Sequence, residues 1–155
     1  PERGGSRSSS FLPLPWTPLM DIALLRSTFE AVRPRADEVA RAFYGRLLGT
    51  FPQVRPLFAN TDFDAQRKSL VQSLATVVSL VDRPDELGPV LTQLGESHNS
   101  YGVEPGMYAY VSYSLLATLA ETFGDDWTEE AAVTWEAALD HVSSAMIEAQ
   151  GLSAA

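Results

Sequence analysis

The sequence predicts an all-α fold in one domain. Apolar side chains recur every three or four residues along most of the 155-residue chain, which is the period of a helix with one buried face. No segment alternates apolar and polar residues as a half-buried strand would, and proline or glycine stands where most apolar stretches end. We therefore predict one domain over residues 20–155. Residues 1–19, rich in Ser, Gly, Pro and Arg, are predicted to be a flexible tail rather than a signal peptide.

The first half of the chain is predicted to form three helices and one short tight helix. Pro34 ends the first helix because proline cannot donate an intrahelical hydrogen bond, and Pro52 breaks the second helix in the same way. Asp62 or Asp64 can cap the next helix through its side-chain oxygen. The predicted ranges are 21–33, 36–48, 52–58 for the short helix, and about 64–81.

The second half is predicted to form three more helices. Residues 82–84 make a turn into the first of them, and Gly102 ends it. Gly124 stops the long apolar helix that follows, and Thr128 caps the last helix, whose first turn carries two glutamates. The predicted ranges are 86–100, 105–123 and from 128 onward.

The composition excludes several classes of function. With 11 basic and 20 acidic residues, the net charge of −9 argues against binding of nucleic acid, which needs a basic surface. No apolar run is long enough for a membrane span. The absence of cysteine excludes disulfides, thiolate catalysis, cysteine-ligated zinc and all-cysteine iron–sulfur clusters. We expect a cytoplasmic protein that partners neither nucleic acid nor membrane.

Three polar side chains interrupt the apolar faces of the predicted helices. His98 continues the stripe of Leu91 and Leu94, while Tyr44 and Gln66 lie on the inner faces of two earlier helices. Each can be an ordinary core or boundary residue that bonds a neighbour. One arrangement satisfies all three at once, namely a cavity that holds a flat metal cofactor. His98 would then lie on one side of the cofactor, with Tyr44 and Gln66 on the other.

Four segments carry a family resemblance: FYGRLLGTFPQVRPLF, QRKSL, LGESHNSYGV and WTEEAAVTWEAAL. From about residue 20 to residue 148 the chain resembles bacterial single-domain haemoglobins and the globin half of flavohaemoglobins. The resemblance implies a three-over-three globin fold. A truncated two-over-two globin is disfavoured, because the first helix is full length and the helix with His98 is long.

The resemblance also implies roles for individual residues. His98 falls on the position of the proximal ligand to the iron of haem b, and Phe58 on that of a phenylalanine that packs on the haem face. Tyr44 and Gln66 fall on distal positions, where they would donate hydrogen bonds to bound dioxygen. The other expected haem contacts are Leu70, Tyr101, Val103 and Tyr108. Candidates for pairing with the haem propionates are Arg67, Lys68 and Tyr101.

One position departs from the flavohaemoglobin pattern. Those proteins carry a proximal tyrosine and glutamate; Tyr108 matches the tyrosine, whereas Gln150 falls on the position of the glutamate. A neutral amide would donate less electron density to the histidine, so a strongly peroxidase-like site is not expected. The sequence holds no flavin or nicotinamide domain, and turnover would therefore need an external reductase.

Two functions are consistent with this pattern, and a third is disfavoured. The first is high-affinity, reversible binding of dioxygen and of nitric oxide, with conversion of nitric oxide to nitrate when an external reductase supplies electrons. The alternative is storage, delivery or sensing of oxygen without turnover. A globin-like protein that acts without haem is the third, and His98 together with Phe58 argues against it.

Overall fold

The computed structural model describes residues 20–154, and within this range every regular element is helical. The predicted tail at residues 1–19 lies outside the described residues. The six α-helices are α1 Ile22–Val32, α2 Ala36–Thr50, α3 Phe63–Leu80, α4 Pro84–Ser100, α5 Met107–Phe123 and α6 Glu129–Ala154. Short 3₁₀ segments occupy Arg33–Arg35, Pro52–Phe58 and Gly124–Asp126.

The helix ends follow the capping chemistry of the sequence. Asp62 caps α3, where its carboxylate accepts from the backbone N–H groups of Asp64 and Ala65 at 3.0 and 3.4 Å. Thr128 caps α6 by accepting from the N–H of Ala131 at 3.0 Å. The predicted helices are confirmed, with shifts of about two residues at some ends.

Two of these shifts have clear local causes. Helix α4 begins at Pro84 rather than at residue 86, because a proline in the first turn has no N–H to satisfy and its backbone angle suits a helix. Helix α5 begins at Met107 rather than at residue 105. There the N–H of Met107 donates to the carbonyl of Glu104 at 2.9 Å, which makes residues 104–107 a turn.

The helices pack around one large apolar core, with α4 lying along α6 and α2 against α5. Its most deeply buried large side chains include Leu25, Phe29, Phe43, Leu47, Leu115 and Trp135. A second, small cluster contains Val77, Leu87 and Leu91. Within residues 20–154, no helix has the length and apolar character that crossing a bilayer requires.

Gly95 allows α4 to approach α6 very closely. A Cβ atom at this position would lie 2.6 Å from the carbonyl oxygen of Met146 and 2.8 Å from the Cβ of Ala149. Any larger residue would therefore force the two helices apart. Because His98 lies one turn further along α4, this contact also sets the position of the histidine.

Candidate cofactor-binding site

A cavity of about 1100 Å³, counting the part open to solvent, lies among helices α2 to α6. Its walls are mostly apolar, with a few polar groups, as is typical of a site for a cofactor or small molecule. The apolar side chains that line it include Leu47, Val54, Leu57, Val111, Leu115 and Leu139.

The structure brings most of the predicted site residues together around this cavity. Those that line it are Tyr44, Phe58, Gln66, Leu70, His98, Val103 and Tyr108. Tyr101 is the exception, since it is not part of the wall and its side chain is 71% exposed. Helix α4 ends at Ser100, and Tyr101 is its C-cap residue. Tyr101 therefore lies outside the cavity wall, and its contact with a cofactor stays a prediction.

Tyr44 and Gln66 form a hydrogen-bonded pair at the cavity wall, here called the distal pair. The Nε2 group of Gln66 donates to the hydroxyl oxygen of Tyr44 at 2.9 Å. Burial raises the pKa of Tyr44 above its usual value, and the bond from Gln66 partly opposes that rise. The phenol is therefore neutral at physiological pH. Since its oxygen accepts from Gln66, its own proton is available to a ligand in the cavity.

Aromatic rings hold Tyr44 in place. Phe43, Phe58 and Phe63 each contact its ring edge to face, with centroids 4.8, 5.8 and 5.6 Å away. Tyr44 itself is only 6% exposed. The position of the hydroxyl is thus fixed by packing as well as by Gln66.

His98 is oriented by its own helix. Its Nδ1 atom lies 2.7 Å from the carbonyl oxygen of Leu94, one turn earlier. A carbonyl can only accept, so this bond assigns the ring proton to Nδ1 and leaves the lone pair on Nε2 free for a metal. The ring of Tyr108 lies nearly parallel to the imidazole, with centroids 6.2 Å apart.

Two further polar side chains are buried close to His98. Burial raises the pKa of Tyr108 to about 12, so its hydroxyl stays protonated. Gln150 is 3% exposed and donates from Nε2 to the carbonyl of Val103 at 2.7 Å. Within the described part of the chain, neither the Tyr108 hydroxyl nor the Gln150 Oε1 atom has a hydrogen-bond partner.

The donor set fits haem better than a bare metal ion. Among residues 20–154, no cluster of three or more His, Cys, Asp or Glu side chains could hold a metal by itself. A metal at His98 must therefore bring its other ligands with it, as haem iron does through the porphyrin nitrogens. The apolar walls and the free Nε2 atom of His98 suit such a group.

Comparison with known proteins identifies the family. The sequence matches the Globin family over residues 41–146. The chain belongs to the globin family. This finding, with the helical architecture, confirms the predicted globin fold.

The globin shares sequence similarity with bacterial flavohemoproteins. It is 31% identical to the flavohemoprotein of Bordetella parapertussis over 127 residues, which cover 81% of this chain and 32% of that protein. It is 30% identical to the flavohemoprotein of Pseudomonas aeruginosa over 131 residues, which cover 83% and 33% of the two chains. The chain thus spans about a third of the length of these curated relatives.

A solved structure supports the fold independently. The globin superimposes on a bacterial globin from Campylobacter jejuni with a TM-score of 0.74, over 84% of this chain and 94% of that one. The sequences are 17% identical, so this likeness bears on the fold alone.

The cavity also contains residues that the sequence did not single out. Four serines line it: Ser69, Ser73, Ser112 and Ser143. Two of them had a readable signal, because Ser69 and Ser73 lie three and seven residues after Gln66 and share its helix face. The other two are on α5 and α6, whose placement depends on the packing of distant helices.

Arg67 forms ion pairs with two aspartates, so its guanidinium group is not free to pair with a cofactor carboxylate. Its guanidinium group donates to Asp37 at 2.8 Å and to Asp64, and the residue is 7% exposed. The bond from Arg67 holds the pKa of Asp37 below its usual value. Of the residues suggested for the propionates, Lys68 is the exposed cation that remains.

Proposed function

We propose that this globin binds dioxygen reversibly and with high affinity, and also nitric oxide, through a haem held by His98. The observation that carries the proposal is the bond from Nδ1 of His98 to Leu94, which leaves Nε2 free at a cavity that also contains the distal pair. When bound, haem supplies the iron at which a diatomic gas can coordinate. The side chains around the cavity would hold the haem and stabilise the bound gas.

Haem b is the form that fits the sequence. Covalent attachment of haem c needs cysteine thiols, and the sequence contains none. Retention must then rest on His98 and on the apolar walls, where Phe58 and Leu70 lie.

The distal pair would stabilise dioxygen in the cavity. Tyr44 can donate a hydrogen bond to the partly negative oxygen, while Gln66 keeps the Tyr44 hydroxyl in position. A hydrogen bond to a group that carries developing charge contributes about 1.5–3 kcal/mol, which slows release by roughly ten- to a hundredfold. Such slow release favours scavenging or chemistry over rapid transport.

With an external reductase, we propose that the protein converts nitric oxide to nitrate. One nitric oxide, one dioxygen and one electron give one nitrate, and the external reductase would supply the electron. The similarity to proteins named flavohemoproteins supports the haem, whereas the conversion of nitric oxide rests on the resemblance of the sequence to the globin half of flavohaemoglobins. A cytoplasmic location remains a prediction that rests on the cysteine-free composition.

Storage, delivery or sensing of oxygen without turnover is the second candidate. The neutral Gln150 favours it, because its amide bonds the Val103 carbonyl and supplies no carboxylate near His98. Weak electron donation to the histidine would lower the tendency to oxidise bound ligands.

Spectra of the purified protein test the haem proposal directly. The protein, expressed with a haem supply, should show a Soret band and distinct ferric, ferrous and oxygenated forms. A protein that remains colourless under these conditions would sink the proposal.

Stopped-flow mixing separates turnover from storage. The oxygenated protein is mixed with nitric oxide, and both ferric haem and nitrate are measured. Rapid decay with one nitrate per haem supports turnover. Slow decay without nitrate favours storage, delivery or sensing.

A further inference from the structure

The segment after His98 is closed by a specific helix-capping motif. The N–H of Val103 donates to the carbonyl of His98 at 3.0 Å, and the N–H of Gly102 donates to the carbonyl of Asn99 at 3.1 Å. These two bonds define a Schellman motif, which needs a residue of positive φ at its turn. Gly102 supplies it with a φ of +88°.

This motif ties the backbone of Val103 to that of His98. In a Schellman motif, the residues that correspond to His98 and Val103 commonly contact each other through their side chains. Both side chains line the cavity. The position of Val103 is therefore coupled to the helix end that carries His98.

Gln150 forms a hydrogen bond with the carbonyl group of Val103. Its Nε2 group donates to the Val103 carbonyl at 2.7 Å across 47 residues of sequence. Val103 is thus bonded through its N–H to His98 and through its carbonyl to α6. Gln150 follows directly after Ala149, which packs on Gly95 of α4, so the same close helix contact brings the amide within reach.

We propose that Gln150 is a positioning residue that sets the orientation of His98 through Val103, and we call the unit of His98, Gly102, Val103 and Gln150 the proximal clamp. The proposal rests on the proposed function, in that His98 holds the haem iron. It assigns Gln150 a mechanical role, carried by its amide N–H. A partly buried carbonyl left without this donor would draw in water or shift, and the end of α4 would loosen.

Gln150→Met tests the proximal clamp with little change in side-chain volume. Methionine keeps the length of the side chain and removes the donor. Amide hydrogen exchange of Val103 should become faster by about tenfold, while that of Leu115 in the core should change much less. The matched control is Gln93→Met, at an exposed position on α4, which should leave both rates unchanged. Equal acceleration at Val103 and Leu115 would reveal a general loss of stability and overturn the proposal.

The second readout is the iron–histidine stretching band of the ferrous protein in resonance Raman spectra. Gln150→Met should shift or broaden this band, and Gln93→Met should not. Faster exchange at Val103 with an unaltered band would mean that the segment is held without orienting the histidine, which also overturns the proposal. If the protein takes up no haem, the proposed function fails, whereas the exchange ratio still decides whether Gln150 holds Val103.

Gly102→Ala perturbs the same unit from its exposed end, should Gln150→Met fail to fold. Alanine is disfavoured at the positive φ of this turn, so exchange at Val103 should again increase several-fold relative to Leu115. Gly106→Ala is the control, because its φ is −65° and an added Cβ would meet nothing within 4 Å. Unchanged exchange at Val103 in Gly102→Ala would contradict the proximal clamp.

Discussion

The two polar sides of the cavity are held in different ways. In the distal pair, one side chain bonds another: the amide of Gln66 meets the hydroxyl of Tyr44. On the proximal side, each bond has a backbone carbonyl as acceptor, since the imidazole of His98 bonds Leu94 and the amide of Gln150 bonds Val103.

Because of this difference, the His98 imidazole is held rigidly, whereas the hydrogen bond within the distal pair can rearrange. A helix carbonyl cannot move without disturbing the turns around it, so His98 is oriented before any ligand arrives. Two side chains can exchange partners by rotating, at the cost of one hydrogen bond of about 1 kcal/mol. Because aromatic neighbours hold the Tyr44 ring, the arrangement predicts a rigid proximal side and a distal pair that adapts to its ligand by rotation of Gln66 and of the Tyr44 hydroxyl proton.

The largest effect is expected from removal of the His98 imidazole. His98→Ala should weaken haem retention by about a hundredfold or more, because even the outer partners of a metal-bound histidine contribute 10–100-fold in affinity. Transfer of haem to a scavenger protein, followed at the Soret band, measures the loss. His141→Ala, at the other histidine, should retain haem. A five-coordinate ferrous spectrum that is unaltered in His98→Ala would contradict this assignment.

Displacing α4, the helix that carries His98, should have a smaller effect than removing His98 itself. Gly95→Ala places a methyl group 2.6 Å from a backbone oxygen of α6, and we expect a loss of about 1–3 kcal/mol in the free energy of unfolding. Chemical denaturation measures it. Gly88→Ala on the same helix meets nothing within 4 Å and should instead stabilise the protein by about 0.5–1 kcal/mol. If the two variants were equally stable, the close approach of α4 and α6 would not constrain the fold.

A smaller effect is expected from a change in the distal pair. Tyr44→Phe removes the hydroxyl and keeps the ring packing, so the dissociation rate constant of dioxygen should rise by about tenfold. Laser photolysis or rapid mixing with carbon monoxide gives this rate constant. Tyr113→Phe serves as the control, because Tyr113 is 55% exposed and does not line the cavity. An unchanged rate in Tyr44→Phe would show that Tyr44 does not contact the ligand.

The smallest effect concerns pH. Because burial raises the pKa of Tyr44, the hydroxyl keeps its proton up to and beyond the ordinary tyrosine value of about 10. The dissociation rate constant of dioxygen should therefore stay constant between about pH 6 and pH 9. A rise within that interval would mean that a group other than the Tyr44 phenol titrates at the ligand.

Much of the fold could be predicted because local chemistry determines it. Proline and glycine mark where helices end, and Asp62 and Thr128 bond the N–H groups of the turns they precede. The polar residues that interrupt apolar stripes indicated Tyr44, Gln66 and His98, all of which line the cavity. Each of these features depends on residues only a few positions apart.

The sequence says less where non-local packing decides the position of a side chain. Tyr101 follows His98 by three residues, yet it is exposed and lies outside the cavity wall. Gln150 could be aligned with a proximal position, but its bond to Val103 spans 47 residues and could not be read from spacing.

The sequence by itself determined the helices, the ring that can bind iron and the polar partners on two other helices, since these follow from helical period and capping. Only the tertiary structure decided which side chains share the cavity and how they are held. The physical reason is the close contact of α4 with α6 at Gly95, which brings Gln150 to the backbone beside His98.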